Sequence, residues 1–178
     1  MKVIGGTAKG QKIFSPKTIR PTRSMVREAL FSIIQVTDKT FIDLFAGSGA
    51  VGIEALSRGA SKVIMVERSR KAVEYIQRNL EKTGFDAVVI NKSVESVLNT
   101  LDIKADFVFI DPPYHGYNIK KALQKIERIL KDDSIIIIEY QTGKVPSHDC
   151  FKVIKNKTYG DTSLLILKNE KSNISRDI

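Results

Sequence analysis

Thr40-Phe41-Ile42-Asp43-Leu44-Phe45-Ala46-Gly47-Ser48-Gly49-Ala50-Val51-Gly52 decides the fold. Residues 40–45 form an apolar, strand-like run. Gly47, Gly49 and Gly52 then complete a G-x-G-x-x-G pattern, and a helix-like run occupies 50–58. Glycines at such a turn let the backbone approach a ligand closely, and the following helix offers it free N–H groups. The same alternation continues downstream. Strand-like runs fall at 62–67, 86–91, 105–110 and 134–140, and helix-like runs at 69–83, 93–101 and 117–131. This order predicts an α/β domain, a parallel sheet covered on both faces by helices. The end differs. Phe151-Lys152-Val153-Ile154 and Ser163-Leu164-Leu165-Ile166-Leu167 are strands with no helix between them, so a turn at Tyr159-Gly160-Asp161 predicts an antiparallel hairpin. Residues 169–178 form a polar tail.

The glycine loop alone does not choose its cofactor. Glu67 ends the next strand-like run, 20 residues past Gly47, where a carboxylate can accept hydrogen bonds from both ribose hydroxyls. An NAD-binding loop and an S-adenosylmethionine (SAM) loop share these features. Two details favour SAM. Asp43 inside the motif can face the cationic end of the methionine moiety and would repel a pyrophosphate. The loop also lies behind a basic N-terminal arm.

A second motif, Asp111-Pro112-Pro113-Tyr114, follows the strand-like run Phe107-Val108-Phe109-Ile110. The exocyclic amine of a nucleic-acid base is a poor nucleophile because its lone pair is delocalised into the ring. Two acceptors aimed at its hydrogens favour a pyramidal nitrogen, and the Asp111 carboxylate and Pro112 carbonyl can supply them. The two prolines stiffen the loop. Tyr114 offers a flat face on which a base can stack once it has left its own stack. Catalysis is then mainly positioning, and no strong general base is needed. The neighbouring His115 reads as a loop residue.

The bulk composition fits one soluble domain of 178 residues, 42% hydrophobic and 28% charged. One cysteine, Cys150, excludes an internal disulfide, and two isolated histidines argue against a metal centre. The longest aliphatic run, Ile135-Ile136-Ile137-Ile138, is too short to span a bilayer, and the N-terminus lacks the apolar stretch of a secretory signal. The expected location is the cytoplasm.

The net charge of +9 is concentrated at the start. Lys2, Lys9, Lys12, Lys17, Arg20, Arg23 and Arg27 carry +7 of it, with no acid before residue 28. This segment reads as an arm that binds a polyanion, with Lys9, Lys12, Arg20, Arg23 and Arg27 as phosphate contacts. Residues 2–14 predict a short hairpin around Gly5, Gly6, Lys9 and Gly10. A helix follows, capped by Thr22 or Ser24, with Val26, Ala29, Leu30, Ile33 and Ile34 at helical spacing. Arg23 and Arg27, four apart, share a face of it.

These blocks together resemble the bacterial small-subunit (16S) ribosomal RNA guanine-N2-methyltransferases, the RsmD family, over nearly the whole chain. The resemblance rests on Val3-Ile4-Gly5-Gly6, on Arg20-Pro21-Thr22 with Val26-Arg27-Glu28-Ala29-Leu30-Phe31, on Asp43 through Gly49 continuing to Gly52-Ile53-Glu54-Ala55-Leu56-Ser57-Arg58-Gly59-Ala60, and on Tyr159-Gly160-Asp161-Thr162. It implies a Rossmann-like class I SAM-dependent methyltransferase fold, a seven-stranded, mostly parallel sheet whose last strand is antiparallel. It also implies an RNA-binding hairpin and helix over 1–39 and a methyltransferase domain over 40–168. For the cofactor, it places Asp43, Phe45 and the Gly47, Ser48 and Gly49 backbone around the methionine part. Glu67, with Arg68 beside it, would hold the ribose, Ser93 and Val94 would lie near the adenine, and Asp111 would border both ligands. The implied substrate is one guanine of small-subunit rRNA, free or in a subunit or assembly intermediate; nothing in the sequence demands more than a monomer, and no metal is expected. Three other readings stay open: amino-methylation of DNA at adenine N6 or cytosine N4, an NAD-dependent oxidoreductase, and a noncatalytic RNA-binding protein.

Overall fold

The computed structural model describes residues 1–16, 24–113, 117–148 and 150–169. Arg20, Arg23, Tyr114 and His115, all singled out by the sequence, lie outside the described residues, as does the cap position Thr22. Helix α1 (Ser24–Ile33) precedes a sheet built from β1 (Thr40–Asp43), β2 (Lys62–Val66), β3 (Val88–Ile90), β4 (Ala105–Ile110), β5 (Leu130–Gln141), β6 (Lys152–Tyr159) and β7 (Thr162–Lys168). Helices α2 (Ala50–Ser57), α3 (Arg70–Thr83), α4 (Val94–Thr100) and α5 (Ile119–Ile126) connect the parallel strands. The strand order is β3-β2-β1-β4-β5-β7-β6. All pairs from β3 to β5 are parallel, and β7 is antiparallel to both β5 and β6. This is the Rossmann-like, seven-stranded arrangement with a closing antiparallel hairpin. The order reverses beside β1, so the C-terminal ends of β1 and β4 flank the crevice where ligands of such sheets bind.

Strand alternation divides the core in two. On one face Phe41, Val63, Met65, Phe109 and Ile137 pack with α1, α2 and α3 through Leu30, Phe31, Ile53 and Ile76. On the other, Ile42, Ile64, Val108 and Ile136 pack with α4 and α5 through Val97, Leu98, Leu123 and Ile126. Each fully buried aliphatic or aromatic side chain contributes about 1.5–3 kcal/mol relative to exposure. Among the described residues no helix is long and apolar enough to cross a membrane.

One sequence expectation about the elements needs correcting. The helix expected over 117–131 ends at Ile126, a single 3-10 turn (Glu127–Ile129) follows, and β5 already begins at Leu130. Its early start is held by Ser134, whose hydroxyl donates to the Ala105 carbonyl at 2.6 Å and accepts from the Lys131 N–H at 2.7 Å. Those bonds close the irregularity in the β4–β5 ladder between Ala105 and Phe107. The N-terminal hairpin forms as expected: Lys2 bridges Lys12, Val3 N–H donates to the Gln11 carbonyl and Ile13 N–H to the Met1 carbonyl, both at 3.0 Å, and Gly10 N–H donates to the Val3 carbonyl at 2.9 Å. Its turn is also tied to α2. Ile4 and Gly5 N–H groups donate to the Glu54 carboxylate at 2.8 Å each, and Ala8 N–H donates to the Ser57 hydroxyl at 2.9 Å. Gly6 makes this approach possible. It has φ of +71°, and a Cβ there would overlap the Ser57 carbonyl oxygen.

Candidate functional site

The site lies at the C-terminal ends of β2, β1, β4 and β5, in a cavity of about 480 Å³. Its walls come from the loop after β1, the end of β2 with the residues after it, the start of α4, the end of β4 and the end of β5. Asp43, Phe45, Gly47, Ser48, Glu67, Arg68, Ser93, Val94, Asp111, Pro112 and Pro113 all line it. The structure therefore brings together both sequence motifs and the residues tied to them.

The glycine loop is shaped by backbone bonds. Leu44 N–H donates to the Phe109 carbonyl and Ala46 N–H to the Val66 carbonyl, both at 3.0 Å, which ties the loop to the two neighbouring strands. Glu67 braces it from the side. Its carboxylate accepts from Gly47 N–H at 2.9 Å and from Ser69 N–H at 2.8 Å. Carboxylate oxygens have further acceptor sites, so these bonds orient Glu67 without exhausting it. Gly49, at the end of the same loop, is not among the residues lining the cavity. It caps α2 at φ of +79°, buried, and a Cβ there would press on Met65 and Ile76 at 3.2–3.3 Å. A glycine is therefore required here by backbone conformation and packing. The Ser93 hydroxyl accepts from Ser96 N–H at 3.3 Å and so caps α4.

Asp43 is the electrostatic centre of the site. It is 1% exposed, and its partners are weak for a buried acid: Phe45 N–H at 3.4 Å and the backbone N–H of Gly52. Burial, and after it the nearby Asp111 carboxylate, push its carboxyl up to about 8. The described wall also carries Glu67, Glu95 and Glu139, against the cations Arg68 and Lys92.

Sequence reasoning missed Tyr117, Glu139, Glu95, Lys92 and Phe109 on this wall. Tyr117 packs edge-on against Phe45, with ring centroids 4.8 Å apart. Burial raises its phenol, and the charge and hydrogen bond of Glu95 raise it further. It also missed Asn79. That side chain is fully buried and joins three points: it accepts from Phe14 N–H at 2.7 Å and donates to the Phe14 carbonyl at 2.8 Å and the Ser48 carbonyl at 2.9 Å. The signal was available, because Asn79 falls on the apolar stripe of α3 with Ala72, Val73, Ile76 and Leu80.

The basic arm is only partly as expected. Lys2, Lys9 and Lys12 are exposed. Arg27 is not available to phosphates: it is fully buried, donating to the Lys2 carbonyl at 2.9 Å and reaching Met1 Sδ at 3.1 Å. Burial lowers its guanidinium, and the Glu54 charge opposes that shift. Arg27 sits on the buried stripe of α1 beside Val26, Leu30 and Phe31, so it holds the N-terminus down.

The chain matches the family described as Conserved hypothetical protein 95 over residues 1–168. It is 34% identical to the putative rRNA methyltransferase YlbH of Bacillus subtilis, covering 94% of this chain and 98% of that protein. It is also 34% identical to the ribosomal RNA small subunit methyltransferase D of Escherichia coli, covering 78% and 74% respectively. Among solved structures, the putative methyltransferase YhhF from Escherichia coli superimposes with a TM-score of 0.87 at 29% identity, covering 96% of this chain and 98% of that one.

Proposed function

The chain belongs to the Conserved hypothetical protein 95 family, that of the small-subunit rRNA methyltransferases D, and from that premise we propose that it moves a methyl group from SAM to the exocyclic N2 amine of one guanine in small-subunit (16S) rRNA. The observation that carries this reading is the shared cavity: the glycine loop with Asp43 and Glu67 on one side, the Asp111-Pro112-Pro113 loop on the other. SAM suits that cavity. About 480 Å³ is ordinary for a ligand of its size, and an acid-rich wall favours a ligand with two cationic centres and one carboxylate.

When bound, SAM supplies an electrophilic methyl carbon on a sulfonium, and leaves as neutral S-adenosylhomocysteine once the carbon–sulfur bond has broken. The chain's own residues position and polarise. Asp43 faces the cationic end of the methionine part, and Glu67 accepts from the ribose hydroxyls. The Asp111 carboxylate and the Pro112 carbonyl accept the two amine hydrogens, which localises the nitrogen lone pair for in-line attack. The methylated nitrogen is then acidic and gives its proton to water. Tyr114 stacks on the flipped base. Lys9 and Lys12, on the exposed arm, grip rRNA phosphates. The enzyme acts as a monomer in the cytoplasm, where ribosomes are assembled.

The test is incubation with labelled SAM and small ribosomal subunits lacking the modification, followed by digestion to nucleosides. Label in N2-methylguanosine at one site supports the reading. Label only in adenine or cytosine of DNA moves the activity to the alternative substrate. No label in any rRNA, with SAM bound normally, overturns the substrate assignment. Asp111→Ala is expected to lower transfer at least about 100-fold while leaving much of the SAM affinity. Unchanged turnover would remove Asp111 from the chemistry.

A further inference from the structure

We propose that Glu139 selects guanine, by accepting the N1–H of the same base whose N2 amine is presented to Asp111. This rests on the methyltransferase reading above and adds to it the residue that sets base identity.

The argument begins with register. In the parallel pair β4 and β5, Ile110 stands opposite Ile138. One step beyond, Asp111 comes opposite Glu139, on strands about 4.8 Å apart. Alternation puts both on the face of Phe109 and Ile137, which are paired with each other and share one core cluster. Both line the cavity, and Glu139 is 5% exposed. Packing does not ask for an acid here. Its neighbours along the strand are apolar or aromatic, with Ile136, Ile137, Ile138 and Tyr140 all buried around it. It is a further acid on a wall that already carries Asp43, Asp111 and Glu67.

The chemistry of the bases gives that acid a use. Asp111 and the Pro112 carbonyl alone would accept any exocyclic amine: adenine N6, cytosine N4 or guanine N2. The bases differ at the ring nitrogen next to that amine. Guanine has N1–H, a donor. Adenine N1 and cytosine N3 are lone pairs. A carboxylate beside the amine site therefore pairs with guanine and repels the other two. Each carboxylate offers about four acceptor positions, so Glu139 can take the N1–H in addition to its contacts within the protein. A site built to hydrogen-bond a donor rejects an analogue that lacks it far more strongly than an apolar pocket rejects a missing methylene.

The experiment uses the full chain and small subunits, or an rRNA fragment, carrying either guanosine or 2-aminopurine at the mapped methylated position. 2-Aminopurine keeps the exocyclic amine but has a lone pair at N1. The wild-type protein is expected to prefer guanosine by about 100-fold in kcat/KM. Glu139→Gln should lower transfer to guanosine and shrink that preference at least about tenfold, because its amide can donate to the N1 lone pair. Glu139→Asp keeps the carboxylate, so it should be slower yet retain the preference. Both variants should bind SAM within about threefold of wild type. An unchanged preference in Glu139→Gln would overturn the proposal, and so would loss of SAM binding, which would place Glu139 on the cofactor. If the wild-type protein labels no rRNA guanosine at all, the methyltransferase substrate reading falls first, and this proposal falls with it.

Discussion

Two buried carboxylates, Glu54 on α2 and Asp43 at the end of β1, sit in opposite surroundings. Glu54 is fully buried beneath the N-terminal segment. It accepts from Ile4 and Gly5 N–H and from Arg58 Nε, each at 2.8 Å, and Arg27 adds a second cation to its field. Its charge is matched within the protein. Asp43, 1% exposed, has long or backbone-only partners and faces Asp111 and Glu67. Both of those acids oppose its ionisation. A buried acid neutralised internally holds structure together. A buried acid held among other acids is arranged for a ligand that brings the positive charge.

The sharpest way to break this contrast is to remove each acid in turn. Glu54→Ala should destabilise the fold by about 3–5 kcal/mol, because it leaves two backbone donors and Arg58 without their partner. Chemical denaturation measures this, and a change below about 1 kcal/mol would mean that the N-terminal segment is not held through Glu54. Asp43→Asn should do the reverse. SAM affinity should fall roughly 10- to 100-fold by calorimetric titration, the worth of a charged hydrogen bond, while the ligand-free fold survives. Equal SAM affinity in that variant would end the assignment of Asp43 to the cationic part of the ligand.

The contrast also has a pH dependence. Ligand-free Asp43 titrates at about 8, so the ionised form that attracts a cation is lost as pH falls below that value. SAM affinity should therefore drop by up to about tenfold per pH unit below 8, until the value in the complex is reached. Stability moves the other way. The folded-state value lies above the ordinary 3.8, so the folded chain binds the extra proton between them. Asp43's stabilising contribution is complete below about 4 and is lost as pH rises through 8. Thermal melts of the ligand-free wild type should thus fall relative to Asp43→Asn between pH 5 and 8. Parallel curves would show that burial does not shift Asp43.

The sequence shows one of these acids far more clearly than the other. Asp43 sits in a motif, and Glu67 and Asp111 end strand-like runs, so their convergence at one sheet edge follows from a parallel α/β order. Five helices and the closing hairpin were legible for the same reason: apolar period and turn residues are local signals. Arg27 and Glu54 were not, because a charged residue in a helix shows its charge in sequence but not what covers it. Glu139 was hidden differently. Which residue of β5 stands opposite Asp111 is set by register, and the early start of β5 at Leu130 is a tertiary feature held by Ser134. Asn79 is the instructive miss, since its place on the buried stripe of α3 was countable and its polarity argued for a surface.

The smallest effect expected concerns what the Glu54 clamp holds out to solvent. With Arg27 buried, the exposed cations of the described N-terminal segment are Lys2, Lys9 and Lys12, and bonds to Glu54 and Ser57 fix the backbone between them. A lysine that neutralises a phosphate adds affinity at any sequence and makes binding salt-dependent. The double variant Lys9→Glu, Lys12→Glu should therefore weaken binding to an rRNA fragment without touching SAM affinity. Its log–log salt slope should be shallower by roughly 0.7–0.9 for each phosphate that is no longer neutralised. Arg27→Lys should leave that slope alone and lower stability instead, because a lysine cannot reproduce the guanidinium's geometry toward the Lys2 carbonyl. If the Arg27 variant flattened the slope and the lysine pair did not, the segment's roles would be exchanged, and the internally matched pair would be the one that meets RNA.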